Sequence, residues 1–248
     1  MKKQFQILAA TFISVAIVSC SKQNVEMPET AQINAEEIST SSSSSAERLV
    51  IDPLTVNLEG RFEFNGNLKD QTRKLADGIS TRRVVSYGTD RKGNMKSALY
   101  LDSTYYVKLF DVPQQTKTSL SVWLKPTDLN HSGGIVNHQT AGPKVNQAAQ
   151  TLSCAVATDE STPGQYLSIA NNGWHHVVIT FDGANVRVYI NNVLKTTVAH
   201  AFSITPTLTD YVIGYSYIWQ NLWKGKVDDL RFYSRTLSAS DVQKLYNL

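Results

Sequence analysis

Between Trp174 and Val198 the chain alternates apolar and polar residues in three short runs separated by turn-forming residues. His175, Val177, Ile179 and Phe181 fall on one face of an extended segment, with Trp174, His176, Val178 and Thr180 on the other. Both faces are largely apolar, which predicts a central strand covered on both sides. Asp182-Gly183-Ala184-Asn185 is a turn by composition. Val186, Val188 and Ile190 then alternate with Arg187, Tyr189 and Asn191, giving a strand with one buried and one wetter face. Asn191-Asn192 reads as a second tight turn, because Asn tolerates the left-handed backbone that hairpins need. Val193 to Val198 returns as a third strand.

The same period of two recurs along the chain. "LEGRFEFNG" alternates, "SALYLDSTYYVKLF" gives strands on either side of a polar break, and "TSLSVWLKP" stops at Pro126. "DYVIGYSY" and "KGKVDDLRFYS" complete the series. Only the C-terminal end reads as helical: Ser238 caps "SASDVQKLYN", with Asp241 three residues on as its reciprocal partner. Many short strands with close-spaced turns and almost no helix predict an all-β, antiparallel sandwich with a short C-terminal helix.

The first 47 residues follow a different pattern. Met1-Lys2-Lys3 is a positive n-region, and Phe5 to Val18 is an apolar run too short for a membrane-spanning stop-transfer helix. It ends in Ile17-Val18-Ser19-Cys20, which resembles the lipobox of bacterial lipoproteins. That resemblance implies a signal peptide over residues 1–19 and lipidation of Cys20. Acyl chains anchor through buried methylenes, each worth about 0.8 kcal/mol. Residues 20–47 then include Glu26, Glu29, Glu36, Glu37 and the run Ser41-Ser42-Ser43-Ser44-Ser45, a composition too polar to fold and suited to a flexible tether. Residues 48–248 are enough for one sizeable domain.

Composition narrows the function. The formal charge is +3, and the basic residues are dispersed in short pairs such as Arg82-Arg83 and Arg91-Lys92, so nucleic-acid binding is not supported. There are 2 cysteines. With Cys20 lipidated, Cys154 has no disulfide partner, and its setting in "TLSCAVAT" is that of a core thiol.

The ordered set of segments resembles the laminin-G-like family of the concanavalin A-like lectin/glucanase superfamily. The likeness is carried by "FEFNGNLKDQT", "SALYLDSTYYVKL", "SLSVWLKP", "GWHHVVITFDGANVRVYINNVL", "YVIGYS" and "WKGKVDDLRFYSRTLSASDVQKLYN", from about Leu58 to Asn247. It implies a jelly roll of two antiparallel sheets. It also implies a structural Ca²⁺ held by Asp70 and Asp228, since many members place such an ion between the loop after the first strand and the final Asp-containing strand. Oxygen ligands of this kind suit Ca²⁺. The alternative is that Asp228 caps backbone amides or pairs with Lys224 or Lys226. The chain departs from the family at "QTRKLADG", which replaces a Gly-rich turn, and at Asn191-Asn192, where Asn-Gly is usual.

Catalytic motifs are missing. No run places paired carboxylates on one strand face at the spacing a retaining glycosidase needs, and there is no nucleophile elbow, Walker loop or His-Glu-x-x-His. Asp228 and Asp229, as neighbours on a strand, are expected to diverge. Glu59 and Glu63 share a strand face at its solvated edge, and His131 and His138 read as solvated loop residues. His175 and His176 point to opposite faces and read as scaffold.

Binding chemistry is concentrated in "GYSYIWQNLWKG". Sugars present apolar ring faces and polar edges, so their sites pair exposed aromatics with Asn, Asp or Arg. Trp219, Tyr217, Tyr215 and Asn221 are the candidate ligand residues; Tyr105-Tyr106 and Asn137 are weaker ones, and Trp223 is expected in the core. The leading expectation is a non-catalytic, lectin-like module for a glycan or polysaccharide, held at the bacterial cell envelope by the lipid on Cys20. A protein-binding or adhesion domain is the alternative, and a glycoside hydrolase of the same fold the third reading.

Overall fold

The computed structural model describes residues 51–157, 164–169, 172–200 and 203–248; the expected signal segment, Cys20 and the Ser-rich tether lie outside them. The chain enters through one 3-10 turn, Pro53–Thr55, and strand β1 (Leu58–Phe62). Two short strands, β2 (Ile79–Ser80) and β3 (Tyr87–Gly88), precede β4 (Ala98–Asp102), β5 (Val107–Gln114) and β6 (Thr118–Pro126). Then come β7 (Gly133–His138), β8 (Gly142–Ala148), β9 (Thr151–Ala157) and β10 (Gln165–Ser168). The hairpin run is β11 (His175–Phe181), β12 (Asn185–Ile190) and β13 (Val193–Ala199). Last are β14 (Thr207–Ile213), β15 (Tyr215–Ser216), β16 (Asn221–Leu222), β17 (Lys224–Tyr233) and helix α1 (Ala239–Tyr246).

Two antiparallel sheets face each other. One runs β13-β12-β11-β6-β17-β4-β3 with β1 also on β17, the other β10-β9-β8-β7-β14-β5-β2. The expected three-strand run is present in register, with Val177 opposite Ile190 and Phe181 opposite Val186. Its second turn is left-handed at both central residues, Asn191 (φ 51°) and Asn192 (φ 65°), as the reading of the Asn pair requires.

Period-two patterning fills the core. Leu120, Val122 and Leu124 of β6 and Val177, Ile179 and Phe181 of β11 point inward against Val145, Cys154, Tyr211 and Ile213 of the opposite sheet. Cys154 is wholly buried, and burial pushes its thiol up to about 12, so it packs as an inert core side chain. The outer face of the first sheet is covered as well. Val178, Tyr189 and Tyr233 pack beneath Leu54, Leu58, Leu237, Val242 and Leu245 in a second cluster under α1. This explains why both faces of β11 are apolar. Ser238 starts the helix as an N-cap, in a capping box with Asp241.

Strand β17 organises the first sheet. One of its edges lies along β6 throughout, while the other lies along β4 up to Val227 and along β1 from Leu230. Between these partners sit Asp228 and Asp229, where the register against β6 slips. Asp229 has φ 44°, a left-handed conformation that inserts one extra residue as a bulge. The two carboxylates therefore do not diverge as neighbours on a regular strand would. Both contact one guanidinium, that of Arg91.

Candidate functional site

The segment rich in aromatics forms a small hairpin of its own. Tyr215 pairs with Leu222 and Ser216 with Asn221, and the chain reverses through Tyr217–Gln220, so the strand does not continue through Trp219. Ser216 Oγ accepts the Trp219 backbone N–H at 3.2 Å, and Gln220 adopts φ 50°. These two features set the tip, where Ile218 (49% exposed) and Trp219 (37% exposed) project. Trp223 differs sharply: it is fully buried, and its Nε1 donates to Gln147 Oε1 at 2.7 Å. The expected division of the two tryptophans, one structural and one presented to solvent, matches this geometry.

The tip rests on an aromatic stack. The Tyr215 ring lies against Tyr106 with centroids 5.0 Å apart and planes 22° apart, and Tyr217 meets Tyr215 edge-on at 5.3 Å. Lys108 Nζ lies 6.0 Å from the Tyr106 ring centre, near the outer limit of a cation–π contact. Asn221 braces the hairpin from below: its Nδ2 donates to the Ser132 carbonyl at 2.7 Å, while its Oδ1 is buried without a partner. Half-buried, it spends its amide nitrogen on supporting the platform.

Close approach makes the hairpin lie flat on β7. A Cβ on Gly134 would stand 2.0 Å from the Tyr215 carbonyl oxygen and 2.7 Å from the Ser216 nitrogen, so no side chain fits there. The Gly133-Gly134 doublet in "NHSGGIV" is thus part of the site, a signal available in the sequence but legible only once its neighbour is known. Tyr106, the weaker candidate, joins the platform. Tyr105 does not: it is buried, and its hydroxyl donates to the Tyr100 carbonyl at 2.5 Å.

Two further sequence readings are corrected. His138 is buried in β7, with Nε2 2.9 Å from the Gly142 carbonyl, and His131 Nε2 lies 2.5 Å from the Leu222 carbonyl. Both hold backbone; His131 lies in the loop before β7, as read, while His138 is the last residue of that strand and not part of a loop. Asn137 is buried too, donating to Asn146 Oδ1 at 2.8 Å.

The expected calcium pair does not fit a cation site. Asp70 accepts backbone N–H groups from Arg61 (2.8 Å), Thr72 (3.1 Å), Lys74 (3.0 Å) and Leu75 (2.9 Å), and the Thr72 hydroxyl at 2.5 Å. Burial would raise its carboxyl, but these donors more than offset that and hold it below the ordinary carboxylate value. Its oxygens face hydrogens, which a metal would have to displace. Asp228 is held by Arg91 at 2.6 Å and not by Lys224 or Lys226. No group of three or more His, Cys, Asp or Glu able to hold a metal occurs among the described residues.

Asp228 and Asp229 belong to a charged network. Arg231 holds both oxygens of Asp229, at 2.9 and 3.1 Å, and Arg91 Nη2 reaches it at 3.6 Å. The Arg91 guanidinium lies 4.8 Å from the Trp123 ring centre, which stacks in turn on His176 (4.9 Å) and Tyr246 (5.5 Å). His176 Nε2 lies 2.9 Å from Ser121 Oγ. Burial lowers His176 to about 3, so the ring is neutral scaffold, as expected of it. Burial likewise lifts Asp228 to about 7, against the pull of Arg91 and with the neighbouring Asp229 adding to the rise. No feature of the sequence near Asp228 points to Arg91, which lies 137 residues away.

With this geometry in view, the relatives place the fold. A family model for the concanavalin A-like lectin/glucanases superfamily matches residues 101–243. No curated protein is significantly similar in sequence. Among solved structures, domain 4 of a GH43 extracellular arabinanase from Geobacillus stearothermophilus, in complex with arabinotriose, is similar at 23% identity and TM-score 0.63. That alignment covers 77% of this chain and 98% of the other. The botulinum neurotoxin serotype D binding domain is similar at 18% identity and TM-score 0.58, over 77% of this chain and 50% of that one. A botulinum neurotoxin type C, which depends on interaction with two ganglioside molecules to enter cells, gives 14% identity and TM-score 0.58, over 77% and 51%. The chain thus spans about half the length of the toxin chains. It belongs to the concanavalin A-like lectin/glucanases superfamily and has its two-sheet jelly-roll fold.

Proposed function

We propose that this member of the superfamily is a non-catalytic carbohydrate-binding module, displayed on the bacterial cell envelope by a lipid on Cys20 and a Ser-rich tether. The observation that carries the reading is Trp219, exposed at a hairpin tip whose base is a stack of Tyr215, Tyr217 and Tyr106. An exposed aromatic face covers the apolar face of a sugar ring, and its few rotatable bonds keep the entropic cost of binding low. Trp219 and Tyr217 supply the contact, while Tyr215 and Asn221 hold it in place. The arabinotriose and ganglioside named for the structural neighbours support a glycan as the ligand class.

The test is glycan-array binding by the full chain, in Ca²⁺ and in chelator, beside Trp219→Ala. Binding that is lost in the variant and unchanged by chelator is expected. A blank array with the chain folded overturns the reading and moves it to a protein partner. Polysaccharide cleavage, lost on substitution of Glu63 or Asp229, would make the protein a hydrolase instead.

A further inference from the structure

Strand β17 changes partner from β4 to β1 at Asp228-Asp229, and the sheet opens there. The gap is a cavity of about 250 Å³, lined by Arg91 and Lys92 from one loop and by Asp228, Asp229 and Arg231 of β17. Arg61 and Glu63, at the end of β1, close its side. Its size falls below the range of about 300–1,000 Å³ typical of pockets for drug-sized ligands, so it accepts one small ring and no more.

Three observations separate this cavity from an ordinary patch of ion pairs. The first is strain. Asp229 is held at φ 44°, a costly conformation for a residue with a side chain, and the effect is to bring two carboxylates to one wall. The second is unspent hydrogen-bonding capacity. Arg61, half-exposed, pairs through Nη2 with one oxygen of Glu63 while its buried Nε makes only a 3.9 Å ion contact with Asp229, only Oδ2 of Asp228 is engaged by Arg91, and Lys92 is exposed at the mouth without an ion pair among the described residues. The third is balance. Four cationic side chains in the lining, Arg61, Arg91, Lys92 and Arg231, stand against four acidic ones, Glu63, Asp90, Asp228 and Asp229.

Balance decides the ligand class. A free anion would meet four carboxylates, and a free cation four positive groups, so neither gains from entering. A neutral polyol carries donors and acceptors on the same ring. Its vicinal hydroxyls donate to Asp228 and Glu63 and accept from Lys92 and Arg61, using the capacity the protein leaves open. Aromatic rings are missing from the lining, so the ring is gripped by its edges and not by its face.

The geometry points to a second carbohydrate subsite, independent of the Trp219 hairpin, in which the bulged Asp228-Asp229 pair, Glu63, Arg61 and Lys92 hold a single neutral sugar residue by its hydroxyl groups.

The experiment uses the full chain carrying Trp219→Ala, so that binding at the hairpin is removed beforehand. Methyl glycosides of glucose, galactose, mannose and arabinose are titrated by saturation-transfer NMR, with glucuronate and glucosamine as charged counterparts. At least one neutral glycoside is expected to bind with a Kd of about 1 mM, as suits a small ligand. Lys92→Ala and Glu63→Ala, both at the rim, should each weaken it about fivefold, the loss of one hydrogen bond. Failure of every neutral glycoside to saturate, unchanged binding in both rim variants, or tighter binding of a charged counterpart each overturns the proposal. Sugar binding seen in the wild type but lost in the Trp219→Ala parent would sink this subsite and leave the hairpin reading standing.

Discussion

The hairpin at Tyr215–Leu222 and the charged wall at Asp228-Asp229 lie only a few residues apart in sequence, yet they are built on opposite physical plans. The hairpin is local: its strands are two residues each, its stack is mostly its own, and its tip is open to solvent. The charged wall is non-local. Its groups come from β1, β17 and the loop carrying Arg91, and they are tied by ion pairs with side chains mostly withdrawn from water. A local, exposed device can be altered without disturbing the fold, whereas a buried and interlocked one cannot. The wall should therefore respond to substitution through stability, and the hairpin through binding.

The strongest way to break that contrast is Arg91→Ala. It leaves Asp228 and Asp229, both less than a tenth exposed, facing each other without their shared cation. Removing one partner of a buried pair costs about 3–5 kcal/mol. Urea unfolding should register a loss of this size. A loss below about 1 kcal/mol would place the network among ordinary surface pairs.

Next in size is Gly134→Ala, aimed at the hairpin's support. The new Cβ would overlap the Tyr215 carbonyl oxygen, so the hairpin must lift from β7. Overpacking of this kind costs about 1–3 kcal/mol. The variant should also lose Trp219-dependent glycan binding while α1 and the core stay folded by circular dichroism. Retained binding would show that the platform is independent of the strand beneath it.

These two positions also show what the sequence discloses. The β11–β13 run, the strand ending at Pro126 and the capped helix were legible because alternation, Asn191-Asn192 and Ser238 act on their immediate neighbours. Trp219 and Trp223 were separable by their place relative to the last strand. The partners of the two carboxylates read as a calcium pair were hidden for a non-local reason. Asp70 spends its oxygens on a loop that folds back over it, and Asp228 on an arginine far away in sequence. The bulge was hidden in the same way: nothing in "KVDDLRF" shows that β17 changes partners at the acidic pair. The polar burial of His138 and Asn137 was likewise invisible, because Gly133-Gly134 disguise a strand as a turn.

A subtler probe of the wall is pH. Burial raises Asp228 from 3.8 to about 7, so the folded protein keeps a proton that the unfolded chain has lost. This contribution is fully present below 3.8 and is lost as pH rises toward 7. His176, lowered from 6.5 to about 3, stays neutral where the unfolded chain would charge, so its contribution is lost as pH falls below 6.5. Between about pH 4 and 6.5 the two oppose each other. Asp228→Asn should make Tm climb more steeply with pH across that window, and His176→Gln should make it climb less or fall. Identical profiles in both variants would mean that neither group keeps its buried charge state.

The smallest effect on stability is the most informative about the hairpin. Trp219→Ala removes an exposed side chain, while the residue's hydrogen bond is made by its backbone N–H to Ser216. Truncation keeps that N–H, so unfolding free energy should change by no more than about 0.5 kcal/mol, as at other surface positions. Glycan affinity should fall at least about tenfold if the ring is the platform, since a stacked aromatic at a binding centre contributes about 2 kcal/mol or more. Loss of stability without loss of binding would reverse the assignment: Trp219 would be a cover for the Tyr215–Tyr106 stack, and the ligand would have to be sought at the charged wall.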